Sequence, residues 1–127
     1  MIPASDWRWY GSHGHFICGR WCRYHLATEI GSYLVSTVGQ YVHPRHTAGS
    51  EQAEADWLQE HPHGEEIGAG RYYETMVFRV IGHCDRPDCG CGLPVCDYGE
   101  LDCRGYTTPA AATAGHMELC ALWAAHE

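Results

Sequence analysis

The stretch "HLATEI-GS-YLVSTV", His25 to Val38, sets two β-prone runs on either side of Gly31–Ser32. Gly followed by Ser in a two-residue connection is a hairpin signal, because the turn that matches strand twist needs Gly at its first central position. The pair makes the neighbouring strands antiparallel and starts a sheet. Upstream, "HGHFICGRWCRYHLATEI" (His13–Ile30) mixes aromatic, β-branched and polar residues and reads as strand, turn, strand. Downstream, "RYYETMVFRVIG" (Arg71–Gly82) is the strongest strand in the chain, with Tyr73, Thr75, Val77 and Arg79 alternating with Tyr72, Glu74, Met76, Phe78 and Val80.

Two helices complete this frame. "VHPRHTAGS" (Val42–Ser50) reads as loop, and Ser50 N-caps a short helix, "EQAEADWLQE", whose Glu51 and Glu54 lie near its positive end. Ala53 and Trp57 are one turn apart and are expected to face the core. The helix stops near His61, because Pro62 disfavours helical geometry in the residue before it. Later, Thr108 and Pro109 form an N-cap and N1 pair that opens a helix from about Ala110 to Ala125. Gly115 inside it costs about 1 kcal/mol relative to Ala, which a tight approach, for example to the cysteine loop, explains. The order β-β-β-α-β, cysteine loop, α predicts an α+β fold: a small antiparallel sheet covered by the C-terminal helix.

The 127 residues suit one domain, 1–127, able to bury roughly two-thirds of its unfolded surface. Hydrophobic residues make up 45%, with five Trp and eight Tyr, which argues for a packed core over disorder. No apolar run reaches the length of a membrane span, and "MIPASDWRWY" has neither a basic leader nor an apolar stretch of signal-peptide type. A reducing cytoplasm is the expected compartment. Net charge is −8, which weighs against nucleic-acid binding and otherwise serves solubility. All eight bases are Arg, and neither Lys nor Asn occurs, as in a high-GC genome.

Eight Cys and ten His then need an account. In a reducing compartment metal ligation is favoured over a disulfide framework. In "HCDRPDCGCG" (His83–Gly92), Cys84 and Cys89 are separated by four residues, a spacing suited to paired zinc ligands, while Cys89 and Cys91 flank a single Gly. The expected complement is "HMELC" on the final helix, where His116 and Cys120 lie four apart on one face. Cys84, Cys89, Cys91, His116 and Cys120 are thus the candidate ligands, one more than a tetrahedral ion needs, and a thiolate-rich set favours Zn²⁺. Against this stands the plain alternative that Cys120 is a small core residue beside Leu119. Cys96 and Cys103 read as structural. A second group, His13, His15, Cys18, Cys22 and His25, with His43 and His46 further on, reads as strand packing or as a second metal site.

Signatures of zinc enzymes are missing. "H-G-E" at His63–Glu65 matches half of the zinc-deaminase pattern, but "P-D-C-G-C" at Pro87–Cys91 lacks the C-x-x-C half, and no H-E-x-x-H occurs. A surplus of protein ligands favours a closed structural ion over a catalytic one.

In "YLVSTVGQYV", "EEIGAGRYYETMVF", "DCGCGLP", the "ELD" and "RGY" either side of Cys103, and "ATAGHMELC", the chain resembles a group of small uncharacterised proteins of actinobacteria and their phages, over most of its length from Tyr33 onward. The resemblance implies a source and no activity.

The expected function is that of a small zinc-binding protein acting on a protein partner, with no nucleic acid or membrane involved. Trp7, Trp9 and Tyr10 are candidate interface anchors. With a phage source, the partner is a host protein or another virion component, and the location the host cytoplasm or the virion. The alternative is a metal-dependent hydrolase centred on His13, His15, His43 and His46.

Overall fold

The computed structural model describes residues 1–11, 13–15 and 19–126. Five strands form one antiparallel sheet in sequential order: β1 (Arg8–Tyr10), β2 (Cys22–Ile30), β3 (Tyr33–Tyr41), β4 (Tyr73–His83) and β5 (Pro94–Tyr106). Helix α1 (Glu51–Glu60) lies between β3 and β4, and helix α2 (Pro109–Ala124) follows β5 and packs on the sheet. The expected α+β architecture, an antiparallel sheet against a C-terminal helix, is the one observed.

The hairpin forms where the Gly–Ser pair placed it. Ile30 pairs with Tyr33 across the turn, and Gly31 has φ +58° while Ser32 does not, the pattern of a type II′ turn. From that register every residue of β2 and β3 is assigned to a face. Ile30, Val35 and Val77 meet Leu119, Cys120 and Ala124 of α2, forming the main core. On the opposite face Ala27, Leu34, Phe78 and Cys96 cluster, and His15 adds its ring edge-on to Phe78. Both faces of the central strands are therefore buried, and the first half of β4 is buried almost throughout, Glu74 and Thr75 included.

Both helix caps are as expected: Ser50 Oγ accepts from the Ala53 amide and Thr108 Oγ1 from the Ala111 amide, each at 3.2 Å. Gly115 does mark a close approach, but to β5 instead of the cysteine loop. A Cβ there would lie 2.1 Å from the Tyr106 hydroxyl oxygen.

Three expectations are corrected. Helix α1 buries no residue; Trp57 leaves the core and stacks between His46 and His61, with centroids 4.5 and 4.4 Å away. The region after the cysteine loop is a strand, β5, which pairs with β4 from Tyr73–Tyr106 to His83–Pro94. Its Asp97, Gly99, Glu100, Asp102 and Gly105 hide it from any strand propensity, and it survives as an edge strand whose register slips between Val77–Asp102 and Arg79–Asp97. At the N-terminus the strand is "RWY", not a run beginning at His13; residues 16–18 of that run lie outside the described residues. Among the described residues no helix is long and apolar enough to cross a membrane.

Candidate metal centre

The β4–β5 connection, Cys84 to Leu93, is built as a closed loop. The Cys84 amide donates to the Leu93 carbonyl at 2.8 Å, and the Cys89 amide to the Arg86 carbonyl at 3.1 Å. Gly90 and Gly92 take φ of +65° and +62°, values that side chains on Cβ disfavour, and so let the chain reverse twice around Cys91. As a result the sulfurs of Cys84, Cys89 and Cys91 all lie within 4.8 Å of one another. Cys89 and Cys91 are exposed and Cys84 is half-buried, so an ion can enter from solvent.

The electrostatics of the loop favour a thiolate at one place in particular. The Leu93 backbone amide, followed by the Cys89 and Cys84 thiols, holds Cys91 below the usual thiol range. At Cys84 the Arg86 backbone amide acts in the same sense but is outweighed by the Cys91 thiol, partial desolvation and Cys89, and the net shift is upward. The three thiols therefore share hydrogen bonds that favour a thiolate at Cys91 over one at Cys84. A thiolate is the form in which a cysteine binds a metal, and binding releases the remaining thiol protons.

No protein-family model matches the chain, and no curated protein or solved structure matches it.

The helical pair does not join this loop. His116 is fully buried between the sheet and α2, its Nε2 2.8 Å from Thr28 Oγ1 and its Nδ1 2.6 Å from Thr37 Oγ1. Thr37 in turn bonds Thr75 Oγ1 at 2.6 Å, so a row of strand hydroxyls is satisfied by one imidazole. With both ring nitrogens engaged, His116 has none left for a metal. Burial lowers its pKa to about 4, which keeps the ring neutral. Cys120 is equally buried, and its thiol is pushed up to about 11 by burial, against a smaller opposing effect of the Thr28 hydroxyl. The five-ligand set thus separates into an exposed group of three and a core pair. The reason is the strand threonines: buried hydroxyls require partners, and two of them, Thr28 and Thr37, claimed the histidine. Thr28, Thr37 and Thr75, one in each of the three central strands, were the available sign.

The second group also divides. His15 is buried, with Nδ1 3.0 Å from Ser36 Oγ and Nε2 3.7 Å from the Glu74 carboxylate; burial brings its pKa to about 4. His25 bonds the Cys22 carbonyl at 3.0 Å, and Cys22 itself packs beside Val38. His43 stacks near Trp21 and Tyr41, and His46 on Trp57. Cys18 lies outside the described residues. Among the described residues, the only three His, Cys or acidic ligands that converge within 4.8 Å are Cys84, Cys89 and Cys91. Cys96 is buried beneath the second sheet face and Cys103 sits near Arg71, 3.8 Å from its Nη1, as structural thiols.

One neighbour of the loop escaped sequence reading. His83, the residue before Cys84, has Nε2 2.7 Å from Glu29 Oε2, and the Tyr10 hydroxyl donates to Glu29 Oε1 at 2.5 Å. This chain ties β1, β2 and the end of β4 together and anchors the base of the loop. Only the sheet order brings residues 10, 29 and 83 into contact.

Proposed function

We propose that this is a small zinc-binding protein whose ion is held by Cys84, Cys89 and Cys91 at the tip of the β4–β5 hairpin, and that it works by binding a protein partner. The observation that carries the reading is the convergence of three sulfurs in a loop closed by its own backbone hydrogen bonds. Soft thiolate donors select Zn²⁺ over harder divalent ions. With three protein ligands, the fourth position faces outward, available to water or to a donor from the partner. The ion fixes a loop that carries little packing of its own, and so presents a defined tip.

Exposed apolar side chains support the interaction half of the reading. Ile81 and Val95, on the two strands that lead into the loop, are 65% and 43% exposed. Of the three aromatic anchors expected near the N-terminus, Trp9 is half-exposed, whereas Trp7 packs on the main core and Tyr10 is held by Glu29. Trp9 and the hairpin tip are the contact surfaces we assign. On the resemblance to actinobacterial and phage proteins, the partner is a host protein or another virion component, met in the host cytoplasm or the virion. For a hydrolase at His13, His15, His43 and His46 the support is weaker: His13 and His15 meet at Ser36, whereas His43 and His46 are engaged by aromatic rings, and no three ligands of this group converge among the described residues.

Native mass spectrometry on untagged protein purified under reducing conditions tests the zinc reading. One zinc per chain is expected, absent from Cys89→Ser and Cys91→Ser and retained by His116→Gln. A zinc-free wild type at saturating ion overturns it.

A further inference from the structure

The cysteine loop is one ligand short for a tetrahedral ion and complete for a pyramidal one. We infer that Cys84, Cys89 and Cys91 form a three-thiolate site that captures trivalent arsenic presented as arsenous acid. The inference rests on the loop being the thiol metal site proposed above, and concerns the class of ion it prefers.

Four observations carry it. The three sulfurs lie within 4.8 Å of one another, close enough to bond one atom with a small adjustment of side-chain torsions. No fourth His, Cys or acidic donor joins them among the described residues. Two neighbouring donors also have other partners: His83 is bonded through Nε2 to Glu29, and Asp88 pairs with Arg86 at 3.3 Å. Finally, Cys89 and Cys91 are exposed on a loop whose ends are pinned by the Cys84–Leu93 hydrogen bond, so the sulfurs are both reachable and preorganised.

The chemistry follows from coordination number. Zinc prefers four ligands and must recruit a water or a foreign donor here. Arsenic(III) forms three bonds and keeps a lone pair on the fourth side, so three cysteines satisfy it without help. Capture is a condensation: three S–H groups and As(OH)₃ give three As–S bonds, and each departing hydroxide takes one thiol proton, releasing three waters. No electron is transferred and no co-reactant is needed. The other described thiols are poor competitors. Cys96 and Cys120 are buried in the core, and Cys103, although exposed, stands apart from the group.

The test is a competition followed by native mass spectrometry. Reduced wild-type protein is given zinc alone, arsenite alone, or zinc followed by equimolar arsenite. Expected are one arsenic per chain with loss of three protons, displacement of bound zinc, and a new near-ultraviolet As–S absorption. Cys89→Ser and Cys91→Ser should each lose stable arsenic capture, while Cys103→Ser keeps it. All three positions are exposed, so the variants keep the core, and matching circular dichroism and thermal melts verify that. Zinc retained against arsenite, or arsenic bound with fewer than three protons lost, overturns the arsenic inference and leaves the zinc reading standing. Arsenic capture by a protein that takes no zinc does the reverse. Failure to bind either ion removes both.

Discussion

His116 and Cys120 on α2 and the three cysteines of the β4–β5 loop are the same ligand types in opposite surroundings. The helical pair has no exposed surface, and the loop has two of its three thiols open to solvent. Burial drives the Cys120 thiol up to about 11, while a backbone amide from Leu93 draws Cys91 down. One environment removes charge from its groups; the other stabilises a thiolate and so prepares it for a soft ion. A residue's capacity to ligate is thus set less by its identity than by whether hydroxyls or backbone amides reach it first.

The comparison breaks most visibly at His116. Replacing it by Ala removes a fully buried ring and leaves the Thr28 and Thr37 hydroxyls without their imidazole partner, a loss of about 2–5 kcal/mol. Urea unfolding should give the same loss with zinc and with a chelator. A loss seen only in the presence of zinc would return His116 to the metal site.

Acid should act on the same buried ring. The pKa values of His116 and His15 are lowered by burial from 6.5 to about 4 in the folded chain. Above pH 6.5 both states hold neutral imidazoles and the full stability is present. As pH falls below 6.5 the unfolded chain binds protons that the folded chain refuses, and stability is lost until about pH 4, on the order of 3 kcal/mol for each ring. Glu74, beside His15, has its carboxyl raised by burial against the opposing Arg71 charge, so its contribution is recovered on acidification and blunts the His15 share. Denaturation midpoints between pH 7.5 and 4.5 should fall, and less steeply in His116→Gln. A flat profile would mean that neither ring is buried neutral.

The smallest effect belongs to the loop without its ion. Cys91→Ser in chelator should leave the unfolding midpoint where it was, because the side chain is exposed. Pulsed alkylation of the wild type sharpens the contrast: Cys91 should react ahead of Cys84, and Cys96 and Cys120 only on unfolding. Fast labelling of Cys120 in the folded chain would deny its burial.

Much of the frame was legible because it rests on local rules. Gly31–Ser32 specifies a turn from two residues, and Ser50 and Thr108 satisfy helix amides three positions on. Strand β4 was legible because it is a long run rich in aromatic and β-branched residues. Strand β5 was illegible for the converse reason. Its own residues favour turns, and its pairing with β4 supplies the backbone partners that propensity does not. The site divided along the same line: Cys84, Cys89 and Cys91 are joined by a short loop, whereas His116 and Cys120 required a docking direction for α2.

By itself the sequence determined what depends on neighbours within a turn or two of chain: the hairpin, both helix caps, and the grouping of three thiols. Spacing along the chain limits these, so residue order is sufficient. Tertiary structure alone decided which face of α2 meets the sheet, and therefore that His116 answers Thr28 and Thr37. It also placed Tyr106 against Gly115 and brought Tyr10, Glu29 and His83 together at the base of the loop. Those contacts join residues far apart in the chain, and they are settled by the joint requirement to bury apolar surface and to pair most of the polar groups that go in with it.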